Sequence, residues 1–237
     1  MIEIRNLTKK YGAFTAVDDI SLSVSPGEIY GFLGPNGAGK TTTIRILAGL
    51  SLPTSGVVSI AGHDVGSDGA RTKSIVGYVP DRPYLYEKLT GRELLKFVVN
   101  LYGREWRDCE PRAMELLRYF DIADWTDARI ENLSHGMKQK LVIVAALVHD
   151  PSVLVIDEPM VGLDALAQKQ VKTLLRRLVS EQKTIFLTTH TMSVAEAVCD
   201  RIGILHRGHI IATGTTAELR SNRALEDVFL ELTYEND

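Results

Sequence analysis

The sequence has few cysteines, little excess charge and no long apolar run. Its 237 residues include only two cysteines, too few to suggest a disulfide framework or a metal knuckle. The formal net charge is −3, so nothing in the charge balance points to a nucleic-acid partner. The longest apolar run, Leu141 to Val148, is far shorter than the roughly 20 residues that cross a bilayer. Because the first residues also lack the apolar segment of a signal peptide, we expect a cytoplasmic protein.

What is present is an ordinary globular composition with an alternating strand and helix pattern. Apolar residues make up 45% of the chain and charged residues 24%. The pattern predicts short strands in the first 80 residues, among them Ile2 to Leu7 and Ile75 to Val79, and helices between Thr90 and Val148. From Val153 onward strands and helices alternate, which is typical of a parallel βαβ layout. The sequence therefore predicts an α/β domain with an inserted helical subdomain.

A glycine-rich loop follows one of the early strands and opens a helix. Residues Gly34 to Thr41 read GPNGAGKT, which fits the phosphate-binding P-loop pattern in its required strand and helix context. Glycines allow successive backbone N–H groups to point at phosphate oxygens, aided by the positive end of the helix. Lys40 would reach the β and γ phosphates, and the Thr41 hydroxyl is a candidate Mg²⁺ ligand. A plain glycine-rich turn is the alternative, and the flanking strand and helix argue against it.

Acidic residues end a later strand, and a histidine ends the next one. Asp157 and Glu158 follow the apolar residues VLVI, and His190 follows the strand that begins at Thr184. Open parallel sheets place their chemistry at the carboxyl ends of strands, so these side chains should meet at one edge. Asp157 is the candidate for holding Mg²⁺, and Glu158 for orienting and deprotonating the attacking water. His190 is the candidate hydrogen-bond donor to the γ phosphate.

The residues from Leu133 to Lys140, LSHGMKQK, resemble the signature motif of ABC (ATP-binding cassette) proteins, whose usual core is LSGGQ. Other markers of that family occur in the same order. Tyr11 resembles the aromatic residue that stacks on adenine, Asp81 occupies the Q-loop position, and Gly162-Leu163-Asp164 resembles the D-loop. The resemblance extends over essentially the whole chain. It identifies the protein as similar to the ATP-binding subunits of ABC transporters.

This resemblance implies a P-loop NTPase fold with a RecA-like core, a mostly parallel sheet, an N-terminal antiparallel β subdomain and an α-helical insert. One domain would cover residues 1–237, with the ATP-binding core at 1–80 and 150–237 and the helical subdomain at 81–149. The expected cofactors are ATP and Mg²⁺. The catalytic residues would be Lys40, Glu158 and His190. The metal ligands would be Thr41, Asp157 and Asp81. The nucleotide-binding residues would be Tyr11, Val17, Gly34, Asn36, Gly37, Ala38, Gly39, Lys40, Thr41, Thr42, Ser134, Gly136 and Asp164.

In this family two subunits pack head to tail, so that the signature of one closes over the ATP held by the other. The expected partners are therefore a second ATP-binding subunit, identical or different, and a separate transmembrane permease at the inner face of the membrane. The segment VPDRPYLYE and the ending LEDVFL resemble the ABC-2-type exporter branch. The permease would contact the region from Asp81 to Glu87, with Tyr84, Leu85 and Tyr86 as apolar anchors. These three residues fit the core of the helical subdomain equally well.

The sequence departs from the family pattern at two places. Asp81 stands where glutamine is usual, so a shorter, charged side chain must approach Mg²⁺ and water. In the signature, His135 and Met137 replace the usual glycine and glutamine. The alternative function is a non-transport ABC-type ATPase, but repair types carry a long coiled coil and translation types carry two cassettes. Neither architecture fits 237 residues with a single set of motifs.

Overall fold

Two β-sheets and a group of inserted helices form the structure, a computed structural model that describes residues 1–220 and 225–234. The predicted end of the domain at residue 237 lies outside the described residues. Within the ranges described, no helix combines the length and the apolar character needed to span a bilayer.

The N-terminal sheet is antiparallel and follows an alternating apolar pattern. Its strands are β1 (Ile2–Tyr11), β2 (Phe14–Val24), β4 (Ser55–Ile60) and β5 (His63–Asp64). Strand β3 (Ile29–Leu33) lies between β2 and β4 in the chain but belongs to the second sheet. They pair in the order β2-β1-β4-β5. The first strand, predicted to end at Leu7, continues to Tyr11, because shifts of register beyond Ile4 keep it paired with β2.

The second sheet is mostly parallel and is covered on both faces. Beside β3 it contains β6 (Val76–Val79), β7 (Val153–Asp157), β8 (Thr184–Thr189), β9 (Arg201–His206) and β10 (His209–Thr215). The order is β10-β9-β3-β8-β7-β6, and the hairpin of β9 and β10 is its antiparallel pair. Every residue of β3, β7 and β8 is buried, as expected for strands with helices on either side.

Most of the helices lie where the periodicity predicts them. They are α1 (Lys40–Leu47), α2 (Gly69–Ile75), α3 (Gly91–Leu101), α4 (Trp106–Tyr119), α5 (His135–Leu147), α6 (Ala165–Ser180), α7 (Met192–Val198), α8 (Thr216–Arg220) and α9 (Leu225–Tyr234). The prediction of strand at Ile75 is wrong, since α2 ends there and β6 begins one residue later. This short helix buries only Thr72 and therefore has no apolar stripe that a periodicity search can find.

The helical insert, α3 to α5, is joined to the core sheet at its edge strand. The Tyr102 ring stacks on the buried His149 ring, with centroids 3.5 Å apart and planes at 10°. The Tyr102 hydroxyl donates to the Val76 carbonyl at 3.2 Å, and His149 Nε2 lies 3.3 Å from the same oxygen. Burial lowers the pKa of His149 to about 4, so the ring is neutral at physiological pH.

The register of the three central strands decides where the polar ends meet. Strand β8 lies between β3 and β7, with Leu33 opposite Thr189 and Asp157 opposite Thr188. Because all three strands run in the same direction, their carboxyl ends share one edge of the sheet. The phosphate loop, the acidic pair and His190 therefore emerge side by side, although up to 156 residues separate Gly34 from His190 (190 − 34).

Candidate active site

The phosphate loop, Gly34 to Thr41, is bent by glycines that no other residue replaces easily. Gly37 has φ +82° and Gly39 has φ +113°, both in the left-handed region. A Cβ on Gly39 would lie 2.5 Å from the Ala16 carbonyl oxygen. The loop thus packs directly on β2, and Gly208 of the β9–β10 turn donates its N–H to the Ala38 carbonyl at 3.0 Å. These contacts fix the loop in a curled form that suits an anion.

Lys40 occupies the centre of this loop. Its side chain is buried, and Nζ donates to the Gly34 carbonyl at 2.5 Å and to the Pro35 carbonyl at 3.0 Å. Burial lowers the pKa of the Lys40 ammonium, and the carboxylates of Glu158 and Asp157 oppose that effect. The ammonium is thus held among backbone oxygens, the kind of partner that phosphate oxygens can replace.

Asp157 and Thr41 form a pair of oxygen donors beside the loop. The Thr41 hydroxyl donates to Asp157 Oδ2 at 3.3 Å, and the Thr188 hydroxyl donates to Asp157 Oδ1. Asp157 is buried, so Thr188 fixes one oxygen of its carboxylate and leaves the other beside Thr41. Hydroxyl and carboxylate oxygens are ligands that Mg²⁺ prefers. No group of three or more His, Cys, Asp or Glu placed to hold a metal ion occurs in the described ranges, and phosphate or water oxygens would complete the coordination of Mg²⁺.

The backbone of Glu158 is in the left-handed region. Its φ is +54°, a conformation that costs a non-glycine residue roughly 1–2 kcal/mol. The Glu158 N–H donates to the Thr188 carbonyl at 3.2 Å, which stabilises this turn. His190 Nδ1 lies 2.7 Å from Glu158 Oε1. Since a carboxylate only accepts, the Nδ1 atom carries the proton, and Nε2 is left to face a ligand.

The signature residues form the start of α5. Ser134 is the N-cap, and its Oγ accepts from the Met137 N–H at 3.3 Å. Ser134 and His135 are exposed and Gly136 is half-buried. Residues 134–136 are called the lip here, and the N–H groups of His135 and Gly136 are candidates for binding an anion. Throughout the described residues, no hydrogen bond connects this lip to the phosphate loop of the same chain.

Comparison with known proteins shows the family to which this chain belongs. A family model described as ABC transporter matches residues 17–161. The chain belongs to the ABC transporter family. It is 39% identical over 233 residues to the linearmycin resistance ATP-binding protein LnrL of Bacillus subtilis, covering 98% of this chain and 75% of LnrL. It is 40% identical over 218 residues to the Nod factor export ATP-binding protein I of Paraburkholderia xenovorans, covering 92% of this chain and 72% of that protein.

A solved structure agrees with the same family. The dimeric post-hydrolysis ATP-binding cassette bound to ADP and Pi has a TM-score of 0.82 and 27% identity, covering 91% of this chain and 98% of that one. The predicted fold class is thereby confirmed: this is an ABC cassette with an antiparallel N-terminal sheet, a mostly parallel core sheet and a helical insert. The protein is an ATP-binding, ATP-hydrolysing subunit of an ABC transporter.

Two further ABC motif residues, Asp164 and Tyr11, make contacts with neighbouring residues of the chain. Asp164 caps α6, because its Oδ1 accepts from the Ala167 N–H at 2.8 Å. Tyr11 is 48% exposed at the end of β1, beside Phe14, which is 63% exposed, and Lys9 Nζ lies 5.1 Å from the Tyr11 ring centroid. The exposed Tyr11 ring is available for stacking with the adenine ring of ATP. Phe14 carries no motif, and only its position across the hairpin from Tyr11 associates it with the site.

The structure places the remaining predicted ligands of this ABC protein in different surroundings. Val17 has no exposed surface and packs behind Gly39. Asn36 and Gly37 lie exposed at the tip of the loop. Asp81 is exposed in the loop after β6, and its ion-pair partner in the part of the chain described is Arg82, 4.0 Å away. No hydrogen bond in that part joins the Asp81 side chain to Thr41 or Asp157.

Proposed function

We propose that this chain binds ATP with Mg²⁺ at the phosphate loop and hydrolyses it to drive export through a separate transmembrane permease. The observation that carries the proposal is the meeting of three neighbouring strand ends. Lys40 fills the curled loop, Thr41 and Asp157 are hydrogen-bonded beside it, and Glu158 is held 2.7 Å from His190. A phosphate site, a pair of hard oxygen ligands and a carboxylate base are what phosphoryl transfer to water requires.

Each of these side chains has a distinct part in the proposed reaction. Lys40 exchanges its backbone carbonyl partners for the β and γ phosphate oxygens. Thr41 and Asp157 hold Mg²⁺, which supplies charge neutralisation when bound. Glu158 orients a water molecule and accepts its proton. His190 fixes the Glu158 carboxylate through Nδ1 and donates from Nε2 to the γ phosphate, which requires both ring nitrogens to carry protons.

We further propose that each ATP is shared between two chains. Ser134 is exposed at the start of α5, no hydrogen bond joins it to the phosphate loop of its own chain in the part of the chain described, and a similar cassette is dimeric with ADP and Pi bound. A second copy placed head to tail would bring this lip over the nucleotide on its partner's phosphate loop. The ligand would then contribute directly to the interface.

The permease is proposed to dock on a groove between the helical insert and the core. The groove has a volume of ≈ 660 Å³. Its lining includes Tyr78, Tyr84, Leu85, Phe97, Leu101 and Val142. Tyr84 is 80% exposed and Tyr86 is 62% exposed, so these rings are available to a partner, whereas Leu85 packs against the core. An apolar helix of the permease suits such a surface. Export, in place of import, is supported by the similarity to a Nod factor export protein.

The proposal is tested with Glu158→Gln, which preserves shape but removes the base. We expect unchanged ATP affinity and a turnover lower by about 10²-fold or more. Because hydrolysis no longer separates the chains, ATP should trap a dimer that size-exclusion chromatography detects. Adding Ser134→Arg to Glu158→Gln places a long side chain in the lip and should abolish that dimer. Glu105→Gln, at the N-cap of α4, serves as the control.

Two results would count against these assignments. Turnover of Glu158→Gln within a few-fold of the unmodified protein would remove Glu158 from the role of base. If the double variant forms the ATP-dependent dimer as readily as Glu158→Gln alone, the ATP is not shared through Ser134.

A further inference from the structure

An unusual residue of the signature contacts the D-loop of its own chain. His135 is the first residue of α5, and an ideal Cβ built on Gly162 would lie 2.6 Å from His135 Nε2 and 2.8 Å from its Cδ2. Real Cβ atoms do not approach other atoms so closely, so the imidazole occupies the space that a side chain at position 162 would need. Gly162 also has φ +76°, in the left-handed region. The left-handed φ favours glycine at this position, whereas the exposed His135 ring can turn aside for a small side chain.

The same region has a second contact between the two elements. A Cβ on Gly136 would lie 3.5 Å from the Gly162 carbonyl oxygen, an ordinary van der Waals distance. The backbone of the D-loop thus lies against the first turn of α5, and the His135 ring covers its glycine. Glycine, which the usual signature core has at this position, would remove the ring from this contact and leave only the backbone of α5 against the D-loop.

On its other side the D-loop is held by hydrogen bonds from α6. Gln168 Nε2 donates to the Leu163 carbonyl at 3.1 Å and to the Met160 carbonyl at 3.5 Å. No hydrogen bond or ion pair of the His135 side chain occurs in the described ranges, so its hold on Gly162 is by packing alone. The D-loop is thus enclosed between a ring from the signature and an amide from α6.

We propose that His135 is a positioning residue that fixes the signature lip and the D-loop of one chain to each other. The inference rests on the proposed shared ATP site, in which the lip faces the nucleotide of the partner chain, and on the packing of the D-loop against that lip. With the ring in place we expect the two elements to approach that nucleotide together, because the imidazole belongs to the lip and packs against Gly162. Glycine at position 135 would allow each to move separately. His135 then influences turnover without touching the nucleotide of its own chain.

The proposal predicts a separation of turnover from nucleotide binding. His135→Gly should lower kcat on the order of tenfold, since misplaced groups slow a reaction without changing its chemistry. The affinity of the phosphate loop for a fluorescent ADP analogue should stay within about twofold, because Lys40 and its loop are unchanged. His135→Phe keeps a flat ring against Gly162 and should restore most of the turnover. If His135→Phe restores kcat, the effect comes from packing of the ring, because phenylalanine lacks the imidazole nitrogens.

A double-mutant cycle tests the contact itself. Gly162→Ala places a Cβ against His135 and also strains the backbone, but the strain is the same whether position 135 is histidine or glycine. We therefore expect Gly162→Ala to be at least about threefold less harmful to kcat in the His135→Gly background. Thermal unfolding of the nucleotide-free chain, measured for the same four proteins, should show coupling of the same sign.

Failure of the proposed function and failure of the role of His135 would give different results. If the unmodified chain does not hydrolyse ATP, the proposed function fails, and the unfolding cycle alone decides whether His135 and Gly162 are coupled. If the unmodified chain is active but His135→Gly retains kcat within about twofold, or the two substitutions are additive in both assays, His135 is not a positioning residue.

Discussion

Replacing the buried Gln139 with methionine should make the protein more stable. Gln139 lies in α5 without exposed surface, and neither its Nε2 nor its Oε1 has a hydrogen-bond partner within the described residues. Burying a polar group without partners costs about 1–3 kcal/mol. Methionine has a similar length and fills irregular apolar space. We expect a gain of about 1–2 kcal/mol in the free energy of unfolding, which for a chain of this size raises the melting temperature by about 2–8 °C.

Urea denaturation and thermal unfolding of the nucleotide-free chain measure this gain. The matched control is Gln168→Met, the same substitution at a glutamine whose Nε2 donates to the Met160 and Leu163 carbonyls. That change removes two hydrogen bonds and should lower stability by about 1 kcal/mol. The two substitutions are thus expected to act in opposite directions, although both convert a glutamine into a methionine.

The reasoning fails if Gln139→Met lowers stability as Gln168→Met does. Such a loss would mean that the Gln139 amide is hydrogen-bonded in solution, for example to a buried water molecule. A gain in stability together with a loss of turnover would leave the energetic argument intact and would add a role for the amide beside the signature.

Three further predictions concern titration, the metal site and the permease groove. The pKa of His149 is lowered to about 4 from 6.5, so the unfolded chain takes up this proton first as the pH falls. Protonation of His149 should therefore lower the free energy of unfolding by about 2–3 kcal/mol between pH 7 and 4.5. His149→Gln should remove this pH-dependent decrease, as measured by urea denaturation. An unchanged decrease in the variant would refute the lowered pKa of His149. If Asp81 positions Mg²⁺ or the attacking water, Asp81→Ala should reduce ATP turnover and Asp81→Gln should retain part of it; normal hydrolysis by Asp81→Ala rejects the role. Tyr84→Ser with Tyr86→Ser should weaken co-purification with the permease and leave the ATPase activity of the isolated chain unchanged; undiminished capture would place the docking surface elsewhere.

The phosphate loop and the residues at the strand ends could be predicted from the sequence. The phosphate loop is one continuous segment between a strand and a helix, so its glycines and Lys40 are recognisable without tertiary information. The meeting of Asp157, Glu158 and His190 is also predictable, because parallel strands share a carboxyl edge. These predictions needed only the directions of the strands.

Other contacts of the site depend on how separate segments of the chain pack against each other. The periodicity of the sequence carries no information about this packing. That Thr188 fixes Asp157 follows from the register of β7 against β8, and a shift of one residue would turn the hydroxyl to the other face. The contact of His135 with Gly162 joins a helix start to a loop 27 residues away (162 − 135). In the sequence, His135 is only a departure from the usual motif, and nothing local indicates its neighbour.

The position of β8 between β3 and β7 has a consequence for how the protein matures. The phosphate loop and the acidic pair are made early, but the strand that places them at adjacent edges begins only at Thr184. During synthesis, a chain that ends before that strand has no central partner for β3 on this side, and long-range pairing of this kind is slow to form. The ATP site therefore forms only after β8 has been synthesised and has paired between β3 and β7. A nascent subunit would gain its affinity for nucleotide only when Thr184–Thr189 has joined the sheet.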